Sequence, residues 1–373
     1  MVQVPFATAD TVTQKKWAAA QAAYLDSISD TEVLGMMIKD GTVRKQEELS
    51  RGAGDNVTIR FRSRLQEKGF LGEQTVTGLE KRVSSFTDSI DIGRLSQVTK
   101  TYAKGTMSQQ RVDFNLEEDD YAVLTDWIKE RQTLTLFNQL AGNAATSITW
   151  DGLSYTGNER NELWGFNTPT APSSTRILRP NALTTDQAVN ADTTAKITLY
   201  QIQRAEKLAV TARPYIQPLS TGQGGIKYRC WVHYDQYYDL QNDTTAPHQF
   251  REILLAQIAG ANKKEALIGK SIVFSQTEII ATDKIPYGLH SSTSAEQTNT
   301  RRAVFCGKDA LGVAFGQGYS ASGVDSVAGF QFNQDDQEVG DIIRTRVNLM
   351  WGVNKPVFNS IDHAVIVITT YVA

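Results

Sequence analysis

The chain has 373 residues, of which 40% are hydrophobic and 21% charged. That composition excludes a disordered chain, and the length suffices for two intimate lobes around a substantial core. Lys+Arg 38 against Asp+Glu 41 leave a net charge of −3, which excludes a protein that coats nucleic acid through a broad positive field.

The first stretch, to about Ser50, reads as an arm with helical character. Trp17, Ala20, Tyr24 and Ser27 recur at helical spacing, followed by Val33, Met36 and Met37. The apolar face is thin, so the segment either packs on its own domain or is stabilised by a neighbour. After a turn at Gly52–Asn56, Val57, Ile59 and Phe61 alternate with Thr58, Arg60, Arg62 and Arg64, the pattern of a half-exposed strand. A second strand is expected over Ser85–Ile92. The intervening residues, with Gly69, Gly72 and Gly78, are too many for a tight turn and read as the tip of a long two-stranded projection. The extension is expected to run from about Asn56 to Tyr102. An isolated ribbon is marginal in water and needs a surface to lie on.

A long helix is predicted after Asn115, which is placed to act as N-cap with Glu118 three residues on. Glu117, Glu118, Asp119 and Asp120 suit the positive end of the helix dipole, which explains them without a metal. Val123, Leu124, Trp127, Ile128, Leu134, Phe137 and Ala141 form its apolar stripe, and Gly142-Asn143 ends it. Trp150 to Asp192 is loop-rich, with Pro169, Pro172 and Pro180. Further helices are predicted at Leu199–Val210, capped by Thr198 and Gln201, and from Pro247, with Phe250, Ile253, Leu254, Gln257 and Ile258 on the core face. Strands are expected at Lys227–His233, Ser271–Ser275, Thr277–Ile280, Ala303–Cys306, Arg346–Val353 and Ala364–Val372. This mixed order without βαβ alternation reads as α+β.

No catalytic constellation is evident. The four histidines, His233, His248, His290 and His363, are scattered, and Cys230 with His233 lacks further ligands for zinc. Gly222–Gly225 lacks the Lys and Ser/Thr of a phosphate-binding loop. No catalytic, cofactor-binding or metal residue is assigned. The only cysteines, Cys230 and Cys306, sit in apolar surroundings, which fits a reducing compartment. The start of the chain lacks the pattern of a signal peptide, and no apolar run approaches the ~20 residues of a membrane helix. Arg60, Arg62 and Arg64 on one strand face are either a solvated edge or partners for a neighbouring subunit's carboxylates.

The order of features resembles the Hong Kong 97-type capsid fold. Asp88–Ile92, Gly105–Arg111 and Leu116–Trp127 resemble the run after the extended loop in the N-four-like phage major capsid proteins. Tyr228–Leu240 is similar to that family's strand followed by a His, two residues, Gln, then Asp-Leu. Arg301–Leu311 resembles its strand entering a Gly-x-x-Ala helix, and Asp341–Lys355 its late Asp…Gly-x-x-Lys segment. The stretch 158–192 matches nothing in the family and reads as a surface insertion.

The resemblance implies a major capsid protein of a tailed phage, assembling into hexamers and pentamers around double-stranded DNA. It implies an N-terminal arm (1–50), an extended loop (51–110), a peripheral domain with a spine helix (111–150), an axial domain (151–345) with the insertion at about 158–192, and C-terminal strands (346–373) returning to the peripheral domain. The inter-subunit contact candidates are Trp17, Tyr24, Arg60, Arg62, Arg64, Lys68, Phe70 and Lys81. The expected partners are further copies of the chain, with scaffolding, portal and decoration proteins and weak, non-specific contact with DNA, and no membrane. Lys15-Lys16 and Arg44-Lys45 are candidates for the DNA contact or are simply solvated. If residues 1–373 are the mature subunit, no scaffold segment is cleaved from it and a separate scaffolding protein is expected. Assembly is expected in the bacterial cytoplasm, without a cofactor, a metal or a self-formed lysine–asparagine crosslink. The alternatives are an encapsulin-like compartment shell and an α+β enzyme or binding module.

Overall fold

The computed structural model describes residues 33–46, 54–62, 72, 85–103, 105–219, 227–243, 250, 271–316, 331–338 and 341–372. Most of the helix expected from Pro247 lies outside these residues, as do Lys15 and Lys16. Arg44 and Lys45 are exposed.

Two sheets organise the described chain, with the spine helix Leu116–Ala141 beside them. The helix starts where its sequence directs. The Asn115 side chain accepts from the Glu117 N–H and donates to Glu118. Gln109 fixes the approach, donating to the Phe114 carbonyl and accepting from the Leu116 N–H at 3.0 Å. Gly142 stops the helix at φ 62, a left-handed conformation that favours glycine. The stripe differs in one member: Val123 is exposed. The last ten residues, Gln132–Ala141, are all buried, polar ones included. Carbonyls of the 163–167 segment meet two of these side-chain amides: Asn138 donates to Leu163 O at 3.2 Å, and Gln139 to Trp164 O and Asn167 O.

A five-stranded sheet runs Val43–Gln46, Leu311–Phe315, Ile342–Asn354, Gln331–Gln337, with Gly93–Tyr102 pairing along Ile342–Asn354. The spine helix packs on one face, against Leu95, Val347 and Leu349. A seven-stranded mixed sheet runs Ile177–Leu178, Val365–Tyr371, Glu296–Cys306, Tyr228–His233, Thr277–Thr282, Ser271–Phe274, with Tyr287–Leu289 on Glu296–Cys306. Its central strands are buried on both faces.

Five expectations are corrected. Residues 33–39 form a helix whose Val33, Leu34 and Met37 join the chain's own core, and Val43–Gln46 pairs in parallel with Leu311–Phe315, so this part of the 1–50 segment belongs to the body. The ribbon ends at Asp91: Gly93–Tyr102 is an integral strand of the five-stranded sheet. Over the described residues 307–316 no helix follows Gly307. The chain turns at Lys308-Asp309, where Asp309 N–H donates to Gly41 O, and enters the strand Leu311–Phe315. The C-terminal segment divides, with Ile342–Asn354 in the helix-backed sheet and Val365–Tyr371 in the seven-stranded one.

The fifth correction concerns 158–192, which is no surface insertion. Ile177–Leu178 extends the seven-stranded sheet, and Arg176 is fully buried. Asp186 is buried between Arg179 and Arg302, at 2.7 Å from each. Burial opposes its ionisation, but the two guanidinium groups outweigh that and hold its carboxyl below the ordinary range.

The hairpin Ser147–Trp150/Leu153–Thr156 lines one side of an open pocket of about 250 Å³ beside the seven-stranded sheet. Thr149 N–H donates to Glu296, and Trp150 lies over the Lys284 ammonium at 4.5 Å. Burial pushes the Glu296 carboxyl up to about 7 from its ordinary 4.5. Between those values the folded chain holds a proton that the unfolded chain has released. The stabilisation is therefore present at low pH and lost as pH rises through 7. Glu296→Gln is expected to flatten the urea-unfolding midpoint between pH 4.5 and 7 and to gain up to ~3 kcal/mol at pH 8. An unchanged pH profile would contradict this.

Candidate inter-subunit surface

The ribbon is a separate two-stranded sheet, Asn56–Arg62 against Ser85–Asp91, in register from Asn56↔Asp91 to Arg62↔Ser85. Its period of two makes two unlike faces. Val57, Ile59 and Ile90 turn inward and pack with Ala314 and Ile92. Each such buried aliphatic side chain contributes roughly 1.5–3 kcal/mol. Thr58, Arg60, Thr87 and Ser89 are exposed on the other face.

Glycines let the ribbon base approach the five-stranded sheet. A Cβ on Gly352 would lie 2.0 Å from the Asp91 carbonyl oxygen, and one on Gly312 would lie 2.4 Å from Ile59 Cδ1. Asn167 then acts as a surrogate strand. It accepts from Asp91 N–H at 3.0 Å and donates to Asp91 O at 2.9 Å. Asp88 accepts from Val357 N–H at 3.1 Å and from Asn354 at 3.3 Å. Asn354 also donates to Ser89 O at 2.7 Å. The base is thus fixed by packing and by polar contacts from two loops, which aims whatever continues beyond Arg62 and before Ser85.

Of the contact candidates, Arg60 is exposed on the outward face, and Arg62 is the last residue of the same strand. Trp17, Tyr24, Arg64, Lys68, Phe70 and Lys81 lie outside the described residues. The structure therefore brings Arg60 and Arg62 to one strand and leaves the others unplaced. Sequence reasoning missed Asn167 and the role of Gly312, while Asp88 opens the quoted Asp88–Ile92 segment without a role being read for it. Gly352 carried a signal, since it opens the Gly352-Val-Asn-Lys355 motif. The motif's Lys355 forms a fully buried ion pair with Asp362 at 2.9 Å.

The other quoted motif residues are structural too. His233 caps the helix Tyr234–Gln241, its Nδ1 accepting from Asp235 N–H at 3.2 Å. Burial and the nearby Arg301 pull its pKa down to about 4. Gln236 donates to Arg301 O and Thr370 Oγ1, tying that helix to the seven-stranded sheet. Asp239 pairs with Lys196 at 2.7 Å. Cys230 is buried, and burial pushes its thiol up to about 12. Among the described residues no group of three or more His, Cys, Asp or Glu is placed to hold a metal, and no helix is long and apolar enough to cross a membrane.

A family model described as phage capsid protein matches residues 5–373. Among solved structures, the capsid of Ralstonia phage GP4 is similar with a TM-score of 0.72 and 21% identity, over 100% of this chain and 99% of that chain. The capsid asymmetric unit of cyanophage Pam1 aligns with a TM-score of 0.64 and 15% identity, over 89% and 91% of the two chains. The head structure of Helicobacter pylori bacteriophage KHP40 gives 0.55 and 14%, over 90% and 88%. A search of curated proteins found no match.

Proposed function

Because the chain belongs to the phage capsid protein family and is a major capsid protein of the tailed-phage head with the Hong Kong 97-type fold, we propose that its ribbon is the element that joins neighbouring subunits of the shell. The observation that carries this reading is the fixed ribbon base with an outward polar face carrying Arg60. A ribbon pinned on its inner face with an exposed polar outer face has a second surface to offer, and a neighbouring copy meets it. Arg60, with Arg62 and Arg64 along the same strand pattern, meets carboxylates there through planar, bidentate pairing.

The rest of the proposal follows from this role. Subunits group as hexamers and pentamers in the host cytoplasm, with scaffolding, portal and decoration proteins as further partners. The shell encloses double-stranded DNA. A net charge of −3 supports weak, salt-sensitive contact with it rather than tight binding. The role is structural and requires no catalysis. Family membership does not favour a cellular compartment shell or an enzyme.

Arg60→Glu tests the joint. An exposed pair is worth only ~0–1 kcal/mol, but a shell repeats it in every subunit. The expected result is a several-fold lower yield of fast-sedimenting particles, with the melting temperature of the unassembled subunit unchanged. Wild-type yield from Arg60→Glu would leave the strand face as a solvated edge.

A further inference from the structure

The helix-backed sheet has an uncharged inner face under the spine helix and an outer face rich in cations. Its inner face, with Leu95, Thr345, Val347 and Leu349 buried, carries the spine helix, and Thr99 hydrogen-bonds Asp120 there. The register places the alternate residues on the outer face: Val98 lies opposite Arg346, Lys100 opposite Arg344, and Arg94 opposite Met350. Arg94 and Lys100 are exposed, and so is Val98 at 49%. Arg344 is 43% exposed and meets Asp335 at 2.8 Å. Lys100, Arg344 and Arg346 therefore border one exposed aliphatic side chain, with Asp335 beside them, and Arg94 stands further along the same face, donating to Asn348 at 2.9 Å. The helix on the inner face begins with Asp113 just ahead of it and Glu117, Glu118 and Asp119 in its first turn; Asp113, Glu118 and Asp119 are exposed.

Two copies meeting by like faces would set cation against cation. Meeting by unlike faces pairs the charges and covers Val98. Contacts between unlike patches are heterologous, and they close into rings when the rotation between copies allows. We propose that the basic outer face of this sheet, centred on Val98, docks the acidic N-terminal end of a second copy's spine helix. The proposal rests on the shell-subunit reading and names a contact separate from the ribbon. The net charge of −3 and the mixture of Asp335 and Val98 into the basic face fit a protein surface better than a nucleic acid.

The test uses the full chain under conditions where it assembles, comparing wild type, Arg94→Glu with Lys100→Glu, Glu118→Lys with Asp119→Lys, and all four changes together. Each unassembled subunit is checked by thermal melting, because Glu118 also accepts from Asn115 and Arg94 donates to Asn348; where a pair lowers the melting temperature, Lys100→Glu or Asp119→Lys alone is read in its place. Each pair is expected to lower particle yield about tenfold, because like charges then face one another, and the fourfold variant should recover to near wild type. Wild-type yield from either pair, or a folded fourfold variant that fails to recover, overturns the docking. Shells of normal yield from Arg94→Glu with Lys100→Glu that hold less nuclease-protected duplex DNA also overturn it, and assign the face to DNA. A wild-type chain that never assembles overturns the shell reading together with this contact.

Discussion

Replacing Asp186 by Asn is expected to destabilise the unassembled subunit by roughly 3–5 kcal/mol, because it leaves two guanidinium groups without their counter-charge. Arg302 is 7% exposed at its side chain and Asp186 1%, so water cannot take over the lost interaction. Arg302 also donates to Ala141 O and Gly142 O, the last carbonyls of the spine helix. The loss should therefore loosen the joint between that helix and the seven-stranded sheet. Acid should act in the same direction. The folded carboxyl ionises below its ordinary range, so its contribution is present above the unfolded value and is lost as pH falls through the folded one. Urea unfolding of the unassembled subunit measures both effects. A loss below ~1 kcal/mol would show that the triad is solvated rather than buried.

Gly352→Ala is expected to abolish closed particles. The added methyl would sit 2.0 Å from the Asp91 carbonyl oxygen, which is backbone and cannot rotate away. Asp91 is the junction of the ribbon with Gly93–Tyr102, so relieving the clash displaces the ribbon base. The local cost is that of overpacking, ~1–3 kcal/mol, which most of the fold survives. The larger effect is on aim, because a tilt at the base turns the strand that carries Arg60 and Arg62. Gly35→Ala is the control: nothing lies within 4 Å of its added Cβ, and alanine favours its helix. Sedimentation should show particles for the control and slow species for Gly352→Ala. Equal particle yields from both would separate the ribbon base from assembly.

Local signals in the sequence were legible. The spine helix is set by Asn115, its acidic first turn and Gly142, all within one turn of the ends they define. The ribbon's alternation at Val57 and Ile59 predicts its inner face correctly. What could not be read depends on partners far along the chain. Arg176 and Asp186 lie in the stretch 158–192 that reads as a surface insertion, yet Asp186 finds Arg302 116 residues away. Gly93–Tyr102 hid as a continuation of the ribbon because Leu95 on its inner face is followed there by Gln97, Thr99 and Thr101, which are polar and give no apolar alternation. Leu311–Phe315 is buried on both faces, and such a run has no period to distinguish strand from helix. The surface itself was half legible. Arg60 and Arg62 could be named from alternation, but the side chain that pins their strand pair, Asn167, gave no local sign.

Electron microscopy of the assembled chain tests the central claim most directly. The account predicts closed isometric shells whose repeating unit is this subunit, with the ribbon beyond Arg62 lying on a neighbouring copy. A chain that stays a soluble monomer, or shells in which the ribbon folds back on its own subunit and touches no neighbour, would contradict it.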